Sequence, residues 1–264
     1  MPGRVVVHGA LGRMGSEAIK ALCADPELEL VGAVDNRAKA KLLPLPDQSK
    51  SIPLSSDLEG LLDQTRPEVV VDFSVAEAAL SAARTATKQK VNLVIGTTGL
   101  SADNLDEIDH LARTNGVGAI VAPNFALGAV AMIHLARIAA RLFDYAEIIE
   151  MHHEQKLDAP SGTALSTARA IAEARGKPFL YPKVHRESLA GTRGGESEGV
   201  ALHSVRLPGL LSHQEVIFGA AGQTLSIRHD TISRECFMPG VILAVKKVAE
   251  YKGLVYGLDK LLGL

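Results

Sequence analysis

Between Glu147 and Ala164 the chain reads E-I-I-E-M-H-H-E-Q-K-L-D-A-P-S-G-T-A. Two adjacent histidines, His152 and His153, stand just ahead of Lys156 and Asp158, and a Pro-Ser-Gly-Thr turn follows. Asp158, Pro160 and Ser161 before the run Ala164, Leu165, Ala168 and Ile171 have the character of a helix start. Gly162 and Thr163 then fall where helix N–H groups have no internal partner, and such an end attracts anions, carboxylates included. Imidazoles and an ammonium beside it suit a small substrate with one or two carboxylates and a proton donor. Metal binding is not expected, because adjacent residues on a strand point to opposite faces and chelate poorly.

The elements that would position these groups begin at the N-terminus. Val5-Val6-Val7 reads as a short apolar strand, and H-G-A-L-G-R-M-G follows it. A helix with Met14, Ala18 and Leu22 on one face comes next. Strand, glycine turn and helix form the setting of a dinucleotide-binding loop, with pyrophosphate on the helix N-terminus. The glycines are spaced Gly9, Gly12, Gly15, a G-x-x-G-x-x-G. A second strand, 30–34, ends in Asp35, placed to hydrogen-bond a ribose hydroxyl. Arg37 stands where it could face a 2′-phosphate, so NADH and NADPH both stay open.

Residues 38–56 read as a Pro-, Ser- and Lys-rich loop. Strands at 69–71, 92–95 and 119–121 alternate with helices at 57–64, 75–87 and 101–114. Continuous β-branched strands alternating with helices predict a doubly wound parallel sheet of Rossmann type covered on both faces. A long apolar helix is expected over 127–142 and another from Ser161 to about Arg175. Residues 176–199 read as a Gly-, Arg- and Glu-rich loop, a lid or an interface arm. One strand before the 161–175 helix and three after it (200–207, 215–220, 224–228) predict a second, α+β domain on a mixed open sheet. A helix at 238–251 closes the chain.

Of 264 residues, 47% are hydrophobic and 22% charged, a composition able to bury a core. The net charge of −2 gives no footprint for nucleic acid or a membrane surface. The two cysteines, Cys23 and Cys236, lie far apart and suit a reducing compartment. No signal peptide or membrane span is read, so a cytoplasmic protein is expected.

The run E-I-x-E-x-H-x-x-x-K-x-D-x-P-S-G-T-A resembles the signature of the dihydrodipicolinate reductase (4-hydroxy-tetrahydrodipicolinate reductase) family. The G-R-M-G tail of the glycine turn resembles it too, and the likeness extends over essentially the whole chain, departing at Leu11 and at Asp35-Asn36. The resemblance implies NADH- or NADPH-dependent reduction of a cyclic imine with loss of water, in lysine and diaminopimelate synthesis. It implies His152 as candidate proton donor, with Lys156 holding a carboxylate or donating the proton itself. His153, Gly162 and Thr163 would hold carboxylates of a small dicarboxylate substrate. Cofactor contacts carry onto Gly9, Ala10, Leu11, Gly12, Arg13, Met14 and Asp35, onto Gly96, Thr97 and Thr98, and onto Ala122, Pro123, Asn124 and Phe125. The family architecture implies a dinucleotide-binding domain of 1–124 and 234–264, a substrate-binding and oligomerisation domain of 125–233, crossings that act as hinges, and a homotetramer. Two other readings stay open: another NAD(P)-dependent dehydrogenase of an amino or hydroxy acid, which would not need P-S-G-T-A, and a nucleotide-sensing regulator without turnover, which would not need His152 and Lys156 together.

Overall fold

The computed structural model describes residues 3–48 and 50–264. Its residues fall into two compact units, one running to Leu127 and resuming from Arg234 to Leu264, the other Gly128–Ser233.

The first unit alternates strand and helix. In chain order come β1 (Gly3–His8), α1 (Arg13–Ala24), β2 (Leu28–Val34), β3 (Leu42–Pro44), β4 (Ser51–Ser55) and α2 (Leu58–Thr65). They are followed by β5 (Val69–Asp72), α3 (Ala76–Lys88), β6 (Asn92–Ile95), α4 (Ala102–Asn115) and β7 (Gly118–Val121). The second unit takes α5 (Leu127–Ala139), β8 (Tyr145–His152), α6 (Gly162–Arg175), β9 (Gly195–Ser197), β10 (Val200–Arg206), β11 (Ser212–Ala220) and β12 (Gln223–Thr231). The chain then returns to the first unit with α7 (Met238–Lys247), β13 (Gly253–Tyr256) and α8 (Asp259–Leu262).

The first sheet has the order β13-β7-β6-β5-β1-β2-β4-β3, parallel throughout except for β3 on β4. Val5, Val6 and Val7 are completely buried, as are Val70, Val71, Val94 and Ile95. Helices on both faces explain why these strands are apolar without alternation. Each such side chain contributes roughly 1.5–3 kcal/mol by leaving water. The strand carboxyl ends, at His8, Val34, Asp72 and Ile95, therefore sit side by side along one edge of the sheet.

Several features depart from the sequence reading. Residues 38–56 are not all loop: Ile52 and Leu54 alternate inward on β4, and β3 pairs with it to form the sheet's edge. The expected C-terminal helix stops being α-helical at Lys247, tightens into a 3-10 turn at Val248–Glu250, and gives way to β13, which pairs with β7. The long helix likewise ends at Ala139 in a 3-10 turn, Ala140–Leu142.

The second unit is a mixed five-stranded sheet, β12-β11-β8-β10-β9, with β8 and β10 parallel and the other pairs antiparallel. Short β9 lies in the stretch expected as loop. On β8 the inward residues are Ala146, Ile148 and Glu150, whereas Tyr145, Glu147, Ile149 and Met151 alternate to the open face. The inward face packs with Ala164, Ala168 and Ile171 of α6 and with Val216 and Phe218 of β11.

Candidate active site

At the first strand edge, the turn after β1 needs its glycines for contact reasons. Gly9 has φ +75, and a Cβ there would lie 2.6 Å from the Phe73 carbonyl oxygen. A Cβ on Gly15 would lie 2.2 Å from the Gly9 oxygen. These contacts hold the turn tightly against α1 and β5. Gly12 caps α1 without any side-chain bond, so the opening turn of that helix is left for an anion. A cavity of about 300 Å³ opens beside it, bordered by His8, Gly12, Asp35, Arg37, Phe73 and Ser74.

Asp35 is 4% exposed and already engaged. Oδ1 accepts from the Arg37 backbone N–H (2.9 Å) and Nε (3.0 Å), and Oδ2 accepts from the Leu11 N–H (2.9 Å) and Arg37 Nη2 (3.1 Å). The Arg37 guanidinium, above all, holds the carboxyl down to about 2, against the opposing effect of burial. Arg37 itself is the exposed member of the pair, its guanidinium lying on the cavity beside the Asp35 carboxylate.

The other sequence-picked residues of this unit divide by exposure. Leu11, Arg13, Thr98 and Pro123 are exposed, while Ala10, Thr97, Ala122 and Phe125 are buried. The Thr97 hydroxyl donates to Asp72, the Asn124 side chain accepts from the Ala126 N–H (2.9 Å), and Phe125 packs edge-on against Phe73, 6.2 Å between centroids. A Cβ on Gly96 would collide with the Phe73 ring. These four therefore shape the strand edge, and Thr97 Oγ1 in particular is spent on Asp72. Sequence reasoning gave no role here to Asp72 or His8. Asp72 is wholly buried at the end of β5 and accepts from Ser74 N–H (3.2 Å), Ser74 Oγ and Thr97 Oγ1, with His8 Nδ1 on its second oxygen.

In the second unit β8 ends at His152 and α6 begins at Gly162. Ser161 Oγ accepts from the Ala164 N–H at 3.1 Å, the expected cap, and the Ala159–Pro160 peptide is cis. The N–H groups of Gly162 and Thr163 have no protein partner among the described residues, and a Cβ on Gly162 would meet no atom within 4 Å. Nor does the His153 side chain have one. Lys156 Nζ donates to Asp158 Oδ1 at 2.7 Å, which leaves two of its three N–H donors uncommitted.

His152 is more constrained than the sequence suggests. Nδ1 lies 2.6 Å from Glu150 Oε2 and Nε2 lies 3.1 Å from Ser212 Oγ. Burial pushes its pKa down; the Glu150 carboxylate opposes this without overcoming it. The ring is thus neutral at pH 7, donating from Nδ1 and accepting at Nε2. Glu150 is wholly buried and bridged by both terminal nitrogens of Arg206, at 2.9 and 2.7 Å. Burial acts to raise its pKa, but Arg206, Ser204 and His152 outweigh that and lower it. Glu150, Arg206 and Ser212 were not picked from the sequence. Glu150 stands two positions before His152, hence on the same strand face, which was a usable signal. Arg206 and Ser212 meet His152 through the registers of β10 and β11, which local sequence does not disclose.

Comparison with known proteins places the chain in one family. Residues 3–125 match the family described as dihydrodipicolinate reductase, N-terminus, and residues 128–262 match dihydrodipicolinate reductase, C-terminus. The chain belongs to the dihydrodipicolinate reductase family. It is 59% identical to the 4-hydroxy-tetrahydrodipicolinate reductase of Dehalococcoides mccartyi over 100% of this chain and 99% of the relative. It is 54% identical to that of Moorella thermoacetica over 98% and 97%. A dipicolinate-bound dihydrodipicolinate reductase from Paenisporosarcina superposes with TM-score 0.87 at 41% identity, covering 98% of this chain and 99% of that one. An amine dehydrogenase from Mycobacterium smegmatis shares the fold alone, at TM-score 0.66 and 18% identity.

As a dihydrodipicolinate reductase the chain is an oxidoreductase that reduces 4-hydroxy-tetrahydrodipicolinate with NADH or NADPH, with loss of water, in lysine and diaminopimelate synthesis. That displaces both the general dehydrogenase and the regulator readings. The tight glycine turn, the uncapped α1 and the cavity by Asp35 and Arg37 suit such a dinucleotide. No helix among the described residues is long and apolar enough to cross a membrane.

Proposed function

We propose that the unit of Gly128–Ser233 binds the dicarboxylate substrate and that Lys156 is the proton donor of the reduction. The observation that carries this is the hydrogen-bonded cluster in which Glu150 reaches His152, Ser161 and Arg206, Arg206 reaches the Asp158 carbonyl, and Asp158 holds Lys156. Gly162 and Thr163 offer free N–H groups at the start of α6, and His153 and Lys156 add donors, so one carboxylate has a seat on the helix end and cations beside it. When bound, the reduced nicotinamide supplies a hydride. The substrate ring must also take a proton at carbon. His152, with its single N–H committed to Glu150, does not bring it; Lys156 has donors to spare.

The cofactor sits on the first unit, held by Gly9 to Met14, Asp35, Gly96 to Thr98 and Ala122 to Phe125, with Arg37 admitting NADPH as well as NADH. The active form is a homotetramer built through the open face of the five-stranded sheet, where Val205 is exposed and Ile149, Met151 and Ile217 are only half-buried by their own unit. A cytoplasmic location fits dependence on the reduced nicotinamide pool.

Pyridine-2,6-dicarboxylate, named in the Paenisporosarcina structure, keeps both anionic handles in a ring that cannot be reduced in the same way. In calorimetric titrations at saturating NADH, Thr163→Val weakens it by roughly 1–2 kcal/mol if the hydroxyl donates. Gly162→Ala, whose Cβ meets no protein atom, weakens it by crowding the ligand alone and leaves stability unchanged. Equal binding to both variants and wild type would reduce the turn to a helix cap and remove the substrate from it.

A further inference from the structure

The loop joining β8 to α6 has no regular secondary structure, yet its start, middle and end converge on one carboxylate. Glu150 Oε1 accepts from Arg206 Nη2 at 2.7 Å and from the Ser161 backbone N–H at 3.2 Å. Oε2 accepts from Arg206 Nη1 at 2.9 Å and from His152 Nδ1 at 2.6 Å. Arg206 Nη2 donates in addition to the Asp158 carbonyl at 2.7 Å, and the Asp158 carboxylate carries Lys156. We propose that Glu150 and Arg206 are the positioning pair of the reduction site: Arg206 holds the loop so that Lys156 stands in place, and Glu150 fixes His152 in its Nδ1–H tautomer. The proposal rests on the assignment of Lys156 as the acid and adds what places it.

The donor count around Glu150 carries the argument. Arg206, the Ser161 N–H and the His152 ring all donate to it, the Ser204 hydroxyl beside it can turn either way, and only an ionised carboxylate accepts at both oxygens. A glutamine in its place must turn its NH₂ toward one side. At the Oε1 position the NH₂ would face Arg206 and a backbone N–H, neither of which can become an acceptor. At the Oε2 position it would face Arg206 and the His152 ring, and the ring can change tautomer. The amide therefore takes the Oε2 position, His152 accepts at Nδ1 and carries its proton on Nε2, and Ser212 Oγ turns from donor to acceptor. Arg206 Nη1 is left against an N–H, and the hold on Asp158 and Lys156 loosens. A pair that only stabilised the fold would leave the tautomer unlinked to turnover.

The test combines ¹⁵N-histidine NMR with steady-state kinetics and NADH titration on the full chain carrying Glu150→Gln, Arg206→Lys or Lys156→Ala. For Glu150→Gln the expected result is a switch of His152 to the Nε2–H tautomer and a kcat lower by about 100-fold, the scale of a displacement of the order of 1 Å. NADH affinity stays at the wild-type value. Arg206→Lys keeps a positive charge but cannot span both Glu150 oxygens and the Asp158 carbonyl. It should lower kcat while His152 keeps its Nδ1–H tautomer, and it carries the test alone if Glu150→Gln does not fold. Wild-type kcat in Arg206→Lys, or a folded Glu150→Gln with an unchanged tautomer, would overturn the pair while loss of turnover in Lys156→Ala left the acid assignment standing. Wild-type turnover in Lys156→Ala would overturn that assignment and the proposal with it.

Discussion

Asp72 and Glu150 are both wholly buried carboxylates near the C-terminal end of a strand, and each meets a histidine at Nδ1. Their remaining partners differ. Asp72 is surrounded by the hydroxyls of Ser74 and Thr97 and by one backbone N–H; Glu150 is clamped by a guanidinium. Hydroxyls rotate and an imidazole changes tautomer, so the Asp72 cluster can adapt to a neutral residue or to a ligand. A guanidinium only donates. The first arrangement suits a strand edge that receives an exchangeable cofactor, the second a rigid mount for a reacting group.

The sharpest way to break this contrast is at Lys156, the end of the Glu150 cluster. Lys156→Ala should cost about 10²- to 10⁴-fold in kcat, the usual worth of a positioned proton donor, with NAD(P)H binding unchanged in fluorescence titrations. Next come the carboxylates themselves. Glu150→Ala strands the largely buried Arg206 and should cost about 3–5 kcal/mol in urea unfolding. Asp72→Ala strands no guanidinium and should cost about 1–3 kcal/mol, the loss of buried hydrogen bonds.

The two regions should also separate by pH. The lowered pKa of His152 means that the unfolded chain takes up a proton at higher pH than the folded one, so stability falls as pH drops below about 6.5. Half-buried His229, with its pKa also pushed down, acts in the same sense. Glu150, with its folded pKa lowered, adds stability that is present above the ordinary carboxylate range and lost as pH falls through its folded value. In the first unit the Asp35 contribution is lost only between about 4 and about 2. Hydrogen exchange measured from pH 7 to 4 should therefore show the Gly128–Ser233 unit loosening first; simultaneous loosening would remove the histidine contribution. The smallest effect is at Arg37. Arg37→Ala should lower kcat/KM for NADPH by roughly three- to tenfold, one exposed charge-assisted contact, and leave NADH efficiency equal or improved because Asp35 is released.

Much of this was legible in the chain. Val5–Val7 and Val69–Val71 are apolar on both faces only because helices cover both, and that pattern alone announces the parallel sheet. The histidines, lysine and Pro-Ser-Gly-Thr turn were visible because they are contiguous. What stayed hidden was set over distance. β13 is four residues that begin at Gly253 and stop before Gly257, and only its pairing with β7 makes it a strand. Ile52 and Leu54 alternate inward within a stretch whose proline and serines read as loop. Glu150 looks like a solvated residue of an alternating strand, and nothing local says that Arg206, 56 positions away, neutralises it. Asp72 carries no local sign of its burial, which depends on His8 and Thr97 from the neighbouring strand ends.

The central claim is a division of labour: the strand edge around Asp72 serves the cofactor and the cluster around Glu150 serves the substrate. It is tested most directly by crossing two ligands with two variants, Asp72→Asn and Glu150→Gln. NADH binding is followed by fluorescence, and pyridine-2,6-dicarboxylate binding by calorimetry at saturating NADH. The expected result is that Asp72→Asn, which the cluster accommodates by turning the His8 ring tautomer and the Ser74 hydroxyl that border the nucleotide cavity, weakens NADH alone, while Glu150→Gln weakens the dicarboxylate alone. Loss of dicarboxylate binding in Asp72→Asn, or of NADH binding in Glu150→Gln, would contradict the account.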